Sequence, residues 1–181
     1  KELKNSPHLK SLKFSANYLL SLVNDILKVY KIEENQVVLE DMVFNIQDEL
    51  TVIKDSLHFL AIKNNNQIFI EVDNSIPEVL VGDKIRLSQI FINLMSNSLK
   101  FTENGKVIVK ANLVEKIGTK CYLKFQVTDN GIGIAKEDQN KVFEKFVQVY
   151  RKEDDYQGTG LGLTIVKKLV ELFNGTIQLE S

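Results

Sequence analysis

Apolar residues recur every three or four positions near the start of the chain, which predicts a long amphipathic helix. The stripe consists of Leu9, Leu12, Ala16, Leu19, Val23, Ile26 and Tyr30. This spacing is typical of a helix that packs in a bundle. Because an isolated helix of this length is marginally stable in water, the face needs a partner, which is either the following domain or a second copy of the chain. The regular heptad favours a second copy. Residues 33–36 interrupt the pattern, so we expect a hinge there.

Beyond the hinge, the pattern predicts alternating helices and strands. In chain order we expect a strand over 37–44, then a helix that begins near 46 and that residues 64–66 end. A strand over 68–72, a helix over about 84–100, and a hairpin with strands near 107–113 and 121–127 follow. Asn45, with Asp48 three residues later, resembles a helix start in which the first side chain caps free N–H groups. Asp83 is placed to cap the next helix in the same way. The hairpin strands alternate apolar and polar residues, so one face of the sheet should be buried.

The C-terminal part predicts further elements and completes the fold class. We expect a short helical piece over 139–143, a polar loop over 150–157, a helix over about 161–173 that Gly175 closes, and a strand over 176–180. The order of elements predicts an α+β fold, a two-layer sandwich of helices on a mixed, largely antiparallel sheet, preceded by a long N-terminal helix. Residues 1–36 then form the helical part and residues 37–181 the sandwich domain.

Composition and charge restrict the class of partner. The chain has 181 residues, 44% of them hydrophobic, and its 23 Lys and Arg against 24 Asp and Glu give no reason to expect a nucleic acid or an anionic membrane. No apolar run approaches the ~20 residues of a membrane span, so we expect a soluble segment. Since the chain begins at Lys1, we expect it to be a piece of a longer polypeptide, whose other parts could include a membrane anchor. The single Cys121 is expected to be a strand core residue and suits a reducing compartment.

Three amide side chains lie four residues apart on the helix predicted over 84–100. They are Gln89, Asn93 and Asn97, and Lys100 and Phe101 follow them. Amides sometimes cap or bridge within a core, but an unpaired buried amide costs about 1–3 kcal/mol, so a ligand that pairs with them is the better account. An asparagine oxygen is a hard, neutral donor for Mg²⁺, and a lysine adds a positive charge for phosphates.

Two glycine motifs add to this candidate chemistry. The first is DNGIGI, from Asp129 to Ile134, where a carboxylate before a tight turn could accept from the exocyclic amine of adenine; an ordinary Asp-Gly surface turn is the alternative. The second is GTGLGL, which begins at Gly158 just ahead of a helical pattern. Its glycines let the backbone approach an anion, and the helix N-terminus offers free N–H groups. The three features together predict a nucleotide site.

In this order the segments NLMSNSLKFT, DNGIGI, VFEKF and GTGLGL resemble the N, G1, F and G2 boxes of sensor histidine kinases. These kinases belong to the ATP-binding superfamily of gyrase B, Hsp90 and MutL. The resemblance covers roughly Val37 to Ser181 and implies a Bergerat-type ATP-binding fold, with ATP and Mg²⁺ as cofactors. The preceding helix, with LLSLVNDILKVYKIE, resembles the second helix of the kinase dimerisation domain.

The resemblance assigns roles to individual positions. It implies that Asn93 holds Mg²⁺, that Asn93 and Lys100 serve catalysis, and that Asn97 and Lys100 contact phosphates. The implied adenine-side residues are Phe101, Asp129, Gly131 and Gly133. The implied phosphate cradle consists of Gly158, Thr159, Gly160, Leu161 and Gly162, and Phe143 and Phe146 anchor the base of an ATP lid over 150–157. In that lid Arg151 or Lys152 could reach the γ-phosphate, with a solvated loop charge as the alternative for each.

The resemblance also implies an activity and partners. The γ-phosphoryl of ATP is transferred to a histidine nitrogen, in a cytoplasmic homodimer formed through the N-terminal helix, and a response-regulator receiver domain is the partner. A membrane would be reached only through other parts of the parent protein. Neither His8 nor His58 is followed by the acidic residue and proline that mark the phosphoacceptor, so we expect this segment to bind ATP without phosphorylating itself.

Two other functions compete with the kinase. One is an ATP-hydrolysing dimeric clamp of the gyrase B, Hsp90 and MutL kind, whose catalytic glutamate precedes the first box asparagine by one helical turn. Gln89 occupies that place here, and an amide cannot act as a base at neutral pH. The other is a non-catalytic dimerisation module, against which the intact motifs argue. No GxxxxGK[ST] run occurs, so a P-loop enzyme is remote.

Overall fold

The computed structural model describes residues 7–149 and 158–181. The helices are Pro7–Glu33 (α1), Ile46–Ser56 (α2), His58–Lys63 (α3), Lys84–Phe101 (α4) and Gly162–Leu172 (α5). The strands are Met42–Phe44 (β1), Gln67–Val72 (β2), Leu80–Gly82 (β3), Lys106–Ile117 (β4) and Lys120–Asp129 (β5). A long N-terminal helix therefore precedes an α+β domain, as the sequence predicts.

The strands form two sheets. The larger one has the order β2-β4-β5, in which β2 runs parallel to β4 and β4 antiparallel to β5. The smaller one pairs β1 with β3 antiparallel, with Val43 opposite Val81. The prediction of a mixed, largely antiparallel sheet is confirmed.

Two hydrophobic cores hold the helices in place. The first lies between the larger sheet and the helices α2 and α4, and its most buried residues include Leu50, Phe91, Met95, Leu99, Val107 and Val109. The second joins α1, α4 and α5 through Val29, Ile32, Ile90, Leu161, Ile165, Val166 and Leu169. Because α4 contributes to both cores, its remaining polar edge is held in a fixed orientation between α5 and the sheet.

Both predicted helix caps are present. The Asn45 side chain accepts a hydrogen bond from Asp48 N at 3.1 Å, and Asp83 Oδ1 accepts one from Arg86 N at 2.9 Å. Asp83 is buried, and its second oxygen accepts from Glu40 N at 3.1 Å. A cap of this kind contributes about 1 kcal/mol, so the start of α4, and with it the register of its polar edge, is set locally.

Three of the predicted helices and strands differ from those in the structure. The strand predicted over 37–44 is limited to β1, because only these residues pair with β3. The single helix predicted from about 46 to residues 64–66 is broken at Leu57 into two helices, α2 and α3. The short helix predicted over 139–143 is wrong: this stretch is a series of turns with isolated bonds such as Val142 N to Asp138 O at 3.1 Å.

The C-terminus also differs from its prediction. The strand predicted over 176–180 is wrong, since these residues pair with no described strand. Helix α5 is closed by Asn174, which has a φ of 56°, while Gly175 N donates to Val170 O at 2.9 Å. Such a left-handed closing residue is usually glycine, and asparagine is the next best suited. The loop predicted over 150–157 lies outside the described residues.

The heptad stripe of α1 points away from the domain. Leu12, Leu19 and Val23 are 70%, 58% and 51% exposed, whereas Val29 and Ile32 on another side of the helix are buried against the second core. In a single chain the stripe is therefore an exposed apolar surface. Within residues 7–149 and 158–181, no helix has the length and hydrophobicity needed to cross a membrane.

Candidate functional site

The polar edge of α4 faces the N-terminus of α5. A Cβ added at Gly162 would lie 3.7 Å from Asn93 Oδ1 and 3.8 Å from Asn97 Nδ2. A Cβ added at Gly158 would lie 3.3 Å from Lys100 Nζ. The amides, the lysine and the glycine run therefore line one space between the two helices.

The two asparagine side chains of this edge are available to a ligand. Both are half-buried, and neither side chain has a hydrogen-bond partner among the described residues. Gln89, one turn earlier, instead accepts a hydrogen bond from Arg86 at 3.3 Å through its Oε1. Unsatisfied polar groups of this kind favour a ligand with hydrogen-bonding or metal-binding capacity.

The first turn of α5 provides backbone N–H donors that have no partner within the helix. Its N-cap position is Leu161, which makes no side-chain cap hydrogen bond, and the first turn has no acidic residue. Leu161 is itself 1% exposed, so the helix start is anchored in the second core. Because the N–H groups at a helix N-terminus have no partner within the helix and carry a partial positive charge, this turn can hold an anion.

Lys100 stands beside this anion site in a partly desolvated position. Burial lowers the pKa of its ammonium group below the ordinary value of 10.5. Its Nζ lies 5.2 Å from the centroid of the Phe101 ring. A lysine held in this way gains more from an added phosphate than an exposed lysine does, since the phosphate replaces lost hydration.

The DNGIGI bend is attached to the C-terminal end of α4. Ile132 N donates to Phe101 O at 3.2 Å, and the added Cβ at Gly131 would collide with that same carbonyl oxygen and come within 2.7 Å of Thr102 Oγ1. Only glycine fits this close approach. Asp129 is exposed, and its Oδ1 accepts from Gly131 N at 3.0 Å, while its Oδ2 has no hydrogen-bond partner in the described part of the chain.

The far end of the bend contacts the C-terminal residue of the chain. Gly133 has a φ of 70°, and Ile134 N donates to Ser181 Oγ at 2.6 Å. The side chain of Gln139 donates to Ser181 O at 3.1 Å. The structure thus places Gly133 at the outer side of the bend, next to the chain end rather than beside the α4 amides.

The two phenylalanines of VFEKF flank the glycine run by their backbones. Phe143 O accepts a hydrogen bond from Thr164 Oγ1 of α5 at 3.0 Å, and Phe146 N donates to Gly160 O at 3.0 Å. Phe146 has a φ of 65°, which is unusual for a bulky residue, and its side chain is 57% exposed. Arg151 and Lys152, proposed for the γ-phosphate, lie outside the described residues.

Thr159, which the resemblance assigns to the phosphate cradle, makes a different contact in the structure. Its hydroxyl is turned toward α1, where it donates to Asp25 Oδ2 at 3.0 Å. Sequence analysis had no signal for Asp25, because a polar residue on an amphipathic helix is ordinarily solvated. It also gave no signal for Thr102, whose side chain is 0% exposed and whose Oγ1 has no hydrogen-bond partner among the described residues.

A cavity of about 450 Å³ opens beside Asn93, between α1, α2 and the first half of α4. It is lined by Lys28, Glu49, Lys84, Ile85, Ser88, Gln89, Ile92 and Asn93. No group of three or more His, Cys, Asp or Glu side chains placed to hold a metal occurs among the described residues. A metal at this site would therefore depend on an amide oxygen together with oxygens of the ligand.

Comparison with known proteins shows which protein family the chain matches. The family model described as "Histidine kinase-, DNA gyrase B-, and HSP90-like ATPase" matches residues 82–181, which include α4, the bend and the glycine run. Among curated proteins, the chain is 36% identical to hybrid signal transduction histidine kinase B of Dictyostelium discoideum over 177 residues, which cover 96% of this chain and 9% of that protein. The first curated relatives are much longer, since the chain spans only 9–19% of their length.

Solved structures agree with this comparison. The structure of full-length ShkA in complex with AMPPNP superimposes with a TM-score of 0.79 at 30% identity, over 92% of this chain and 34% of that one. Histidine kinase ThkA, solved in complex with the response regulator TrrA, matches with a TM-score of 0.66 at 25% identity, over 94% of this chain and 47% of that one. The matches extend beyond the ATPase domain and include the region of α1.

Proposed function

Because the chain belongs to the family of histidine kinase-, DNA gyrase B- and HSP90-like ATPases, we propose that it is the ATP-binding catalytic part of a sensor histidine kinase. One observation carries the proposal: the amides of Asn93 and Asn97, which have no hydrogen-bond partner among the described residues, face Gly162 at the start of α5, with Lys100 beside Gly158. A triphosphate is the ligand that uses metal-binding oxygens, a cation and helix N–H groups at once.

The phosphates of ATP are proposed to lie between α4 and α5. The first-turn N–H groups of α5 and the Lys100 ammonium would pair with phosphate oxygens, and Asn97 would donate from its amide. Asn93 Oδ1 fits Mg²⁺, because this ion takes one or two protein oxygens and otherwise keeps water and phosphate ligands. When bound, the ion would neutralise charge on the γ-phosphoryl during transfer.

The adenine is proposed to lie against the bend, between Phe101 and Asp129. Asp129 Oδ2, which has no hydrogen-bond partner among the described residues, would accept from the exocyclic amine, which guanine lacks at that position. Gly131 permits this arrangement, since its backbone sits directly against Phe101 O. Phe143 and Phe146 would hold the base of the lid through their backbone bonds to Thr164 and Gly160.

The proposed reaction is an in-line phosphoryl transfer. A histidine nitrogen outside this chain attacks the γ-phosphorus, the bond from phosphorus to the β,γ-bridging oxygen breaks, and ADP leaves. His8 and His58 are exposed. Neither is close to the α4 amides in the sequence, and neither lines the cavity beside Asn93. We therefore expect the chain to supply the nucleotide and to depend on a separate acceptor helix.

The proposed assembly follows from α1 and from the relatives. Residues 1–36 would belong to the dimerisation part and residues 37–181 to the catalytic domain, with the exposed heptad stripe of α1 as the homodimer contact. A response-regulator receiver domain is the proposed partner, as in the ThkA complex with TrrA. We propose that the domain works in the cytoplasm.

Calorimetry with Mg-ATP tests the nucleotide part of the proposal. We expect saturable binding by the chain and no stable incorporation of γ-labelled phosphate into His8 or His58. In the full-length protein, the same label should appear as an acid-labile, alkali-stable phosphohistidine. An absence of Mg-ATP binding would instead favour a dimerisation module.

The rival clamp function requires a base at position 89. Gln89 carries an amide there, and it is already engaged with Arg86, so steady hydrolysis without an acceptor should be slow. A Gln89→Glu variant provides the comparison. A robust ATPase rate of the unchanged chain, similar to that of the variant, would favour the clamp over the kinase.

A further inference from the structure

The hydroxyl of Thr159 connects helix α1 to the N-terminus of α5. Thr159 Oγ1 donates to Asp25 Oδ2 at 3.0 Å and accepts from Leu161 N at 3.3 Å. The Thr159 hydroxyl therefore links the Asp25 carboxylate to the backbone N–H of Leu161, the N-cap residue of α5. Asp25 and Thr159 are 134 residues apart in the chain, so only the docking of α1 brings them together.

Both oxygens of the Asp25 carboxylate have partners in this position. Its side chain is 17% exposed, and its other oxygen, Oδ1, pairs with Lys28 Nζ at 3.0 Å. A negative charge near a helix N-terminus is stabilised by the helix dipole and by the unpaired N–H groups. The first turn of α5 has no acidic residue of its own, so Asp25 supplies a negative charge there from another helix.

The segment of α1 around Asp25 is held against the cradle at several points. Val29 and Ile32 are 4% and 9% exposed and pack in the same core as Leu161 and Ile165. At the end of α1, Glu33 Oε2 accepts from Lys145 Nζ at 2.8 Å, and this hydrogen bond lowers the pKa of the Glu33 carboxyl. Lys145 directly precedes Phe146, whose N–H binds Gly160 O. The docked helix therefore binds Thr159 within the glycine run, packs in the same core as Leu161, and binds Lys145 next to the run.

We propose that Asp25 is a resident anion of the phosphate site, which competes with the nucleotide phosphates for the N-terminus of α5. The proposal rests on the proposed function, since it assumes that phosphates bind at this turn. The nucleotide brings several negative charges to a place where a carboxylate already binds the Thr159 hydroxyl. Binding of ATP and docking of α1 at Asp25 then oppose each other, and by thermodynamic linkage each weakens the other by the same factor.

The competition makes the contact between α1 and the phosphate cradle depend on the nucleotide. With no nucleotide present, Asp25 holds α1 against the cradle. When ATP binds, Thr159 is released from α1 and becomes free to contact phosphate, and the domain loses one of its attachments to the helix. Asp25 is thus a positioning residue that makes the attachment of the helix depend on the nucleotide.

Two substitutions and one control test the proposal by calorimetry with Mg-ATP. Asp25→Asn removes the charge but keeps an acceptor, and Asp25→Ala removes both. The matched control is Asp55→Asn, which removes one charge from an exposed position on α2. We expect both Asp25 variants to bind Mg-ATP about 10-fold more tightly than the unchanged chain, which is a typical coupling between sites, and the control to bind as the unchanged chain does.

A series of ligands separates charge competition from a general loosening of α1. The gain in affinity of the Asp25 variants over the unchanged chain should be largest for ATP, smaller for ADP and absent for adenosine. It should become smaller as the salt concentration is raised. Equal or weaker ATP binding by both variants would overturn the proposal, and so would a gain of the same size for adenosine. If the unchanged chain and the variants all fail to bind Mg-ATP, the proposed function itself is wrong.

Discussion

Phe146 and Gly160 form a short backbone clasp in which both residues have a positive φ, 65° and 69°. The N–H of Phe146 donates to Gly160 O at 3.0 Å. A Cβ added at Gly160 would lie 2.8 Å from the carbonyl carbon of Phe146. The two ends of the segment that contains residues 150–157 are therefore joined at a point where one partner must be glycine.

The clasp predicts that Gly160→Ala is strongly destabilising. The substitution adds about 1–2 kcal/mol for a left-handed alanine, and the collision with the Phe146 backbone adds to it. Gly118→Ala is the matched control, because Gly118 has a φ of 58° with no neighbouring atom within 4 Å. Urea unfolding should give a larger loss of unfolding free energy for Gly160→Ala than for Gly118→Ala. Equal losses would show that the clasp does not constrain position 160.

Asn93→Ala is expected to weaken Mg-ATP binding without loss of stability. The side chain is half-buried and has no hydrogen-bond partner among the described residues, so the fold loses little. Loss of a contact to a charged ligand costs about 1.5–3 kcal/mol, or roughly 10- to 100-fold in affinity. Asn112→Ala, at an exposed position on β4, serves as the control in calorimetry and thermal unfolding. Unchanged affinity in Asn93→Ala would remove Asn93 from the site.

The lowered pKa of Lys100 predicts opposite effects of alkaline pH on binding and on stability. Phosphate favours the charged lysine, so Mg-ATP affinity should fall as the pH rises through the lowered pKa, below the ordinary value of 10.5. Over the same range the unfolded chain binds more protons at this residue than the folded chain, so the Lys100 contribution to stability should rise with pH.

Lys100→Arg isolates this contribution, because arginine keeps its charge throughout the alkaline range. Affinity measured by calorimetry between neutral and alkaline pH should fall less steeply in Lys100→Arg than in the unchanged chain. Identical slopes would mean that another group causes the pH dependence.

Thr102→Val is expected to raise stability. The Thr102 side chain is fully buried, and its hydroxyl has no partner among the described residues, which costs about 1–3 kcal/mol. Its methyl group fills the space next to Gly105, where an added Cβ would lie 2.5 Å from Thr102 Cγ2. Thr102→Ser, which keeps the hydroxyl and loses the methyl group, should be destabilising by about 1 kcal/mol. A drop in unfolding free energy for Thr102→Val would reveal a partner for the hydroxyl.

The exposed stripe of α1 predicts which substitutions disturb the homodimer. Leu19→Glu places a charge at a position that is 58% exposed in the single chain and would be buried between two copies. Analytical ultracentrifugation of the full-length protein should show a shift toward monomer. Ser21→Glu adds the same charge on α1 outside the stripe and should leave the dimer intact. A dimer that survives Leu19→Glu would place the contact elsewhere.

Sequence alone determined the features that depend on neighbours along the chain. The caps at Asn45 and Asp83, the heptad of α1 and the alternation of the β4-β5 hairpin were predicted, because a side chain a few positions away is enough to produce each of them. The four boxes predicted the family as well, and the positions of Asn93 and Asn97 on one face of α4 follow from helix periodicity.

Only the tertiary structure decided how distant segments meet. The alternating pattern over 176–180 predicted a strand, but a strand forms only where another strand offers its N–H and C=O groups, and none of the described strands does so there. Likewise, no local pattern could show that Gly131 lies against Phe101 O or that Asp25 accepts from Thr159. These contacts depend on which helix faces the two cores bury against each other, and that packing is settled over the whole domain at once.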